Sequence, residues 1–392
     1  MPTPATSSAH ADQQRRPDPR GERPDLVVVG AGIVGLAHAV EAVSRGLSVT
    51  IVERDTRAVG ASIRNFGHIG TSVQDGQALD YALVARERWL SLAEKAGFAV
   101  EQAGTIVAAR TAAELGVLEE YAEARGPEQA RLLTGDQVRD AVPPLTDEVI
   151  GGALLPMDLR VDPREAVPAI ADWLAAEGVD LRWGTHVTTV AADGDGVVVE
   201  TGRGPVRAAR AVHAVGHDLD RCYPRIAEEA GVRRCLLRML EVAPPGDCRI
   251  APAVLTGTSM LRYGAFTRTR AAAEVRAEIE ARAPELLDAA VNLMLTQRPD
   301  GSVVLGDTHH YGTTHLPFDD DCLVQLVLRE GARLLGGPLT VRRRWRGVYA
   351  DSPSTDFLVA APNSHTRVVA VTSGIGMTTG LGFAPAVLDG LL

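Results

Sequence analysis

The sequence predicts an α/β fold in which a parallel sheet with covering helices is interrupted by further strands. Three observations carry that expectation. From Asp25 a β-branched run passes straight into a glycine-spaced turn, a helix pattern and a second strand. Between Asp162 and Trp183 a helix that starts on a proline again leads into a strand. Near the C-terminus Val368-Val369-Ala370-Val371 turns through glycines into a last helix. Strand–helix–strand alternation is the pattern of parallel sheets, because a parallel crossover consumes a dozen or more residues.

The chain has 392 residues and 45% hydrophobic content, enough for a large core and two or more domains. The formal net charge of −10 argues against non-specific nucleic-acid binding, which depends on basic patches that neutralise phosphates. Cys222, Cys235, Cys248 and Cys322 form no C-x-x-C pair and read as reduced thiols of a cytoplasmic protein. Lys95 is the single lysine beside 39 arginines, so a lysine Schiff base would have to use it. Residues 1–24 are polar and proline-rich and read as a disordered tail. They lack the apolar segment of a secretory signal, and Pro17-Asp18-Pro19 after Arg15-Arg16 speaks against export. No stretch calls for a membrane span.

Asp25-Leu26-Val27-Val28-Val29 is expected as a buried parallel strand, followed by Gly30-Ala31-Gly32-Ile33-Val34-Gly35 and a helix that stops at Gly46. Leu47–Val52 is the second strand, ending on Glu53. This is the Rossmann-like dinucleotide fingerprint in its full context. Gly30 permits the tight turn, Gly32 lets backbone approach a pyrophosphate, and Gly35 lets helix pack on strand. The helix N-terminus at Ile33 and Val34 faces phosphate with its positive dipole. Glu53 is placed to accept hydrogen bonds from ribose hydroxyls and would repel a 2′-phosphate. At this point FAD and NAD both remain open.

Val59-Gly60-Ala61-Ser62-Ile63-Arg64-Asn65-Phe66-Gly67-His68 resembles the G-x-S-x-R-N-x-G loop of the FAD-dependent D-amino acid oxidase and glycine oxidase family. Thr372-Ser373-Gly374-Ile375-Gly376-Met377-Thr378, leading into a helix with Pro385, is similar to the family's closing G-x-G-M segment. Asp162-Pro163 is an N-cap with proline at the first helical position. His186-Val187-Thr188 and Ala211–Gly216 are similar to the family strands at the adenine and the pyrophosphate. The resemblance runs from residue 25 to 385 and selects FAD. It implies cofactor contacts at Arg54, Ala61, Ser62, Arg64, Asn65, Phe66, Gly67, Val187, Gly216, Gly374, Gly376, Met377 and Thr378. The last helix would stabilise the negative charge of reduced flavin.

The fold implied is α/β: a Rossmann-like FAD-binding domain of the glycine oxidase-like (GR2) type with an inserted antiparallel-sheet substrate domain. The cofactor domain takes residues 25–90, 160–232 and 340–392, and the substrate domain takes 91–159 and 233–339. Asn292–Gln297 and Ser302–Tyr311 read as paired strands joined by Pro299-Asp300-Gly301. An Ala/Glu/Arg-rich helix is expected from Ala271 to Ala283.

Arg64-Asn65-Phe66-Gly67-His68-Ile69, Arg262-Tyr263 within an expected strand Leu261–Phe266, and Gly306-Asp307-Thr308-His309-His310-Tyr311 resemble one branch of the family, the FAD oxidoreductases associated with phosphonate metabolism. The chain departs from that branch at Gly70-Thr71-Ser72, where a bulkier W/V-P-T segment is usual. The resemblance implies an aminophosphonate substrate, 2-aminoethylphosphonate or an N-methylated form, oxidised to an imine and thence an aldehyde. Arg262, and after it Arg346, are the candidate cations for the phosphonate. His68, His309, His310, Tyr263 and Tyr311 are further candidates. Each has a plain alternative: Arg262 on a strand surface, Arg346 in interdomain packing, Tyr311 in a core. His309 and His310 point to opposite sheet faces, so one of them lines a given pocket. Asp307, His309 and His315 lack a spacing that gathers three metal ligands, and no metal is expected.

Hydride passes from the amine carbon to flavin N5, so the protein has to keep the amine neutral, with His68 or His309 as the candidate proton acceptor. Oxygen or another acceptor then takes the electrons. A glycine, sarcosine or D-amino acid substrate uses the same parts. Leu305-Gly306-Asp307-Thr308-His309 also suggests a flavin hydroxylase motif. Oxidase against dehydrogenase, and covalent against non-covalent flavin, stay open at this level.

Overall fold

The computed structural model describes residues 23–392. Most of the expected tail, residues 1–22, lies outside the described residues. Arg23 pairs with Asp195 at 2.7 Å and the Pro24 carbonyl accepts from Ala209 N at 3.0 Å, so these two belong to the folded part.

The strand Leu26–Val29 is wholly buried because helices cover the face of Leu26 and Val28, while the antiparallel strands Val187–Asp193, Gly196–Thr201 and Val206–Ala208 cover the face of Val27 and Val29. It pairs in parallel with Val49–Val52 and with Arg210–His213. Asp180–Arg182 and Thr366–Val371 extend the sheet in parallel at either side, and Phe357–Asn363 closes one edge antiparallel. The helix Ile33–Ser44 packs against the final helix Gly376–Asp389, which also packs on Gly76–Ala96. A Cβ on Gly35 would collide with the Gly30 carbonyl, which is why the first helix can lie so close to its strand.

The second body is an eight-stranded sheet ordered Thr340–Asp351, Arg233–Ala243, Val303–Gly312, Met294–Gln297, Ala253–Leu255, Thr105–Ala109, Gly151–Leu155 and Arg131–Thr134. Its pairs are antiparallel except Ala253–Leu255 with Thr105–Ala109. The hairpin at Pro299-Asp300-Gly301 forms as expected, closed by Arg298 N to Ser302 O at 2.8 Å. The helix Ala271–Arg282 also forms.

Two differences from expectation matter for the site. Thr340–Asp351 falls in the stretch assigned to the cofactor domain, yet it pairs with Arg233–Ala243 along its whole length. Leu261–Phe266 is not a strand. Gly257–Met260 and Gly264–Thr267 are short helices, and Arg262 N bonds to Ser259 O at 3.1 Å in the turn between them. A short buried apolar run carries no period that separates strand from helix.

Candidate functional site

One long cavity runs between the two sheets. At one end it is lined by Gly30, Gly32, Ile33, Val34, Glu53 and Arg54, and at the other by Arg262, Tyr263, Asn292, Asp307, His309 and Tyr349.

The nucleotide end is built by backbone. Gly30 holds φ +103°, and a Cβ there would come within 2.6 Å of the Ala214 carbonyl. Only glycine suits both demands. The Glu53 carboxylate accepts from Ala31 N at 2.8 Å and Asp55 N at 2.9 Å, fixing the turn while its remaining lone pairs face the cavity lining. Ser62 Oγ accepts from Ile33 N at 2.8 Å, so the loop Ala61–Ile63 is tied to the start of the helix. Arg54 pairs with Asp218 at 2.7 Å, and Arg234 pairs with Asp218 and Asp220 at 3.1 and 2.9 Å. Burial pushes the Asp218 carboxyl up, but His217, Arg54 and Arg234 outweigh it and hold it below the usual carboxylate range.

The middle is formed by Ala61, Arg64, Asn65 and Phe66 on one side and Gly374, Gly376 and Met377 on the other. Asn65 shapes its loop by donating to Ala61 O and Ser62 O at 3.0 Å and accepting from Gly67 N at 2.7 Å. The helix Gly376–Asp389 begins at the cavity, so its N-terminal amides are turned toward it. Val187 and Gly216 line the same cavity.

At the far end Arg262 and Asp307 share the cavity. Arg262 donates from Nη2 to Tyr349 Oη at 2.8 Å and from Nη1 to Tyr311 Oη at 3.5 Å. Burial pulls the guanidinium down, but Tyr349, Tyr311 and Asp307 outweigh it and keep Arg262 above its ordinary pKa. Burial pushes the Asp307 carboxyl up to about 7 against the opposing pull of Arg262 and Asn292. His309 is pushed down to about 3 by burial and by Arg262. Its Nδ1 lies 2.9 Å from Ala290 O, which makes Nδ1 the protonated nitrogen of a neutral ring.

Several residues singled out in the sequence lie elsewhere. His68 does not line the cavity: its Nε2 is 2.8 Å from Thr105 Oγ1 and 3.3 Å from Asp158 Oδ2. His310 points to the opposite face from His309 and is exposed. Tyr311 does not line the cavity; it meets the site through its hydroxyl on Arg262 and its ring stacked on His309 at 6.3 Å. Arg346 ties down the loop that follows Val303–Gly312, through Asp319 at 2.8 Å, Leu316 O at 2.9 Å and Pro317 O at 2.7 Å. Gly67 serves a close approach to Val161, where a Cβ would collide with the carbonyl. Thr378 accepts from Gly70 N at 3.2 Å behind the cavity wall. Gly35 serves packing alone. Leu305–His309 stays inside one strand, without the following helix that the hydroxylase pattern requires.

Asp307, Asn292 and Tyr349 are site residues that sequence reasoning missed. The one available signal was alternation: Asp307 and His309 are two apart on a strand and therefore share a face. Among the described residues no group of three or more His, Cys, Asp or Glu is placed to hold a metal. Among the described residues no helix is long and apolar enough to cross a membrane.

The lining fits FAD. A glycine cradle under a helix N-terminus, an acid at the second strand end, and a lumen that continues to the second sheet match a nucleotide carrying a ring system at its far end. His213, 1% exposed in the same lining, has both ring nitrogens without a protein partner.

A model of the DAO family, described as FAD dependent oxidoreductase, matches residues 25–389. Glycine oxidase of Geobacillus kaustophilus (strain HTA426) is 29% identical over 206 residues, which covers 50% of this chain and 55% of that protein. The match thus spans about half the length of that curated relative. Among solved structures, glycine oxidase from Geobacillus kaustophilus superposes with a TM-score of 0.75 at 20% identity, covering 94% of each chain. L-proline dehydrogenase from P. horikoshii gives a TM-score of 0.77 at 20% identity, covering 94% of this chain and 93% of that one. At such identity these structures speak for the fold.

Proposed function

Because the chain belongs to the family of FAD-dependent oxidoreductases, we propose that it oxidises the C–N bond of a small amine or amino acid that carries an anionic group. The observation that carries this reading is Arg262, a half-buried guanidinium at the cavity end away from the nucleotide cradle, oriented by two phenols. Guanidinium binds a carboxylate or a phosphonate through two parallel hydrogen bonds. Bound FAD supplies the acceptor for a hydride from the carbon next to nitrogen.

Arg262 holds the anion, and the fixed distance along the substrate then sets which carbon lies against the flavin. Phe66, Leu237, Met294 and Tyr349 supply apolar walls that exclude water around it. The finer reading takes an aminophosphonate as substrate, supported by the Arg64–Ile69, Arg262-Tyr263 and Gly306–Tyr311 segments. Glycine, sarcosine or a D-amino acid is the second reading, favoured by the glycine oxidase relative.

Anaerobic mixing of the FAD-loaded protein with each class tests this. Rapid loss of the yellow flavin colour with 2-aminoethylphosphonate or its N-methyl forms alone supports the finer reading. Bleaching by glycine, sarcosine or D-alanine alone supports the second. No bleaching by any amine removes both.

A further inference from the structure

Arg262 has a counterpart of opposite sign at the same end of the cavity. Asp307, in Val303–Gly312, is 3% exposed and lines the cavity with Arg262, Asn292 and His309. Its backbone is committed: N–H and C=O are both exchanged with Asn292 at 2.8 Å. Its carboxyl is committed in part, to the Asn292 side chain. Oδ1 is buried with no hydrogen-bond partner among the described residues. His309 Nδ1 lies 3.9 Å away but donates to Ala290 O instead.

The groups facing the carboxyl come from four segments. Arg262 and Tyr263 belong to the turn after Gly257–Met260, and Asn292 precedes Met294–Gln297. His309 is on the same strand, and Cys235 is on Arg233–Ala243 alongside. Of these, Arg262 alone carries a fixed charge, and it bonds to the tyrosines without forming an ion pair with Asp307. A buried acceptor left without a partner calls for an explanation, because leaving it so is costly. A guanidinium and a carboxyl that share a cavity without touching match a substrate that is anionic at one end and an amine at the other.

We propose that Asp307 receives the substrate's amino group and removes its proton. The ammonium N–H bond breaks, the proton passes to a carboxylate oxygen of Asp307, and nitrogen keeps the electron pair as a neutral amine. Loss of hydride from the neighbouring carbon needs that pair, since it becomes the new C=N bond. The inference rests on the amine reading above. It moves the proton acceptor from His68, which lies outside the cavity, and from His309, which is too weak a base once pushed down to about 3. A carboxyl raised to about 7 is matched to taking a proton near neutral pH.

The test is anaerobic flavin reduction of the holoenzyme across pH, wild type against Asp307→Asn, with whichever amine bleaches the wild type. The variant is expected to retain FAD and to reduce it about 100-fold more slowly at neutral pH. It should recover toward the wild-type rate as pH approaches the amine's own pKa, where free amine exists in solution. An FAD-loaded variant with the wild-type rate and pH profile overturns the proposal while the amine reading stands. Failure of every amine to bleach the wild type removes both.

If Asp307→Asn does not hold FAD, binding of acetate to the wild-type holoenzyme decides, followed through the flavin spectrum. Acetate does not titrate near neutrality, and it should bind progressively more weakly as pH rises above about 7 and Asp307 ionises, by up to about tenfold per pH unit. An affinity that does not change across that range overturns the proposal.

Discussion

Arg262 Nη2 donates to Tyr349 Oη at 2.8 Å, and the same tyrosine ring stands where a Cβ on Gly374 would come within 3.0 Å. One phenol therefore couples the cation at the end of the cavity to the glycine turn that starts the last helix. Gly374 holds φ +79°, a conformation that strains any other residue, so the turn can pass beneath the ring only as glycine.

Arg262→Ala is expected to raise the substrate concentration for half-maximal flavin reduction about 100-fold, the loss of a charge-assisted hydrogen-bonded anchor worth about 3 kcal/mol. FAD content should stay at the wild-type level, because Arg262 lies at the cavity end away from the glycine cradle of Gly30 and Gly32. Arg262→Lys should recover little, since an ammonium lacks the two-pronged geometry. Anaerobic reduction at varied substrate concentration measures both.

Glu53→Gln should weaken FAD binding about tenfold or more. The carboxylate holds two amides, Ala31 N and Asp55 N, and lines the cavity. An amide side chain offers one acceptor oxygen in place of two. Titration of the apoprotein with FAD, followed by flavin fluorescence, reads the change.

His68→Gln should lower thermal stability, while the pH midpoint of flavin reduction remains that of the wild type. His68 bridges Thr105 and Asp158, and Asp158 is 0% exposed. Weakening that buried link costs about 1–3 kcal/mol. A shifted pH midpoint would return His68 to the chemistry.

The apoprotein should lose stability on acidification from about pH 6.5 to 4. Burial holds His38 and His213 down at about 4 and His309 at about 3, so the unfolded chain binds more protons than the folded one in that window. Each such group contributes up to about 1.4 kcal/mol per pH unit. Asp307 has the opposite sign: its folded pKa is raised, so its contribution is present below the ordinary Asp value and lost as pH rises through about 7. Asp307→Asn should therefore steepen the acid-side fall and raise the unfolding temperature at pH 8. Thermal unfolding of both proteins across pH checks the two signs together.

Arg346→Ala should free the loop after Val303–Gly312. Leu316 and Phe318 are 77% and 80% exposed there, on a loop whose Leu316 and Pro317 carbonyls are pinned by Arg346, while Arg234 and Arg238 hold Thr313, His315 and Asp319 on either side. Chymotrypsin should cut after Phe318 faster than in the wild type, with little change elsewhere; the Leu316–Pro317 bond is protected by its proline.

The sequence by itself determined the parallel half of this protein and the cradle for its cofactor. Those features are local: a strand, a turn whose glycines answer to backbone dihedrals, a helix start and an acid, all within Leu26–Glu53. The Pro299-Asp300-Gly301 hairpin is local in the same sense. Only the tertiary structure decided the far end of the cavity. Arg262 sits in a turn, Asp307 inside a strand and Tyr349 on the edge strand of the same sheet, and no short-range pattern joins them. The same holds for what was displaced from the site: His68 found Asp158, and Arg346 found a loop carbonyl, because each satisfied its donors in the nearest buried or pinned partner. Hydrogen-bond satisfaction is settled by neighbours in space, and a side chain's neighbours are known only once the sheets have packed.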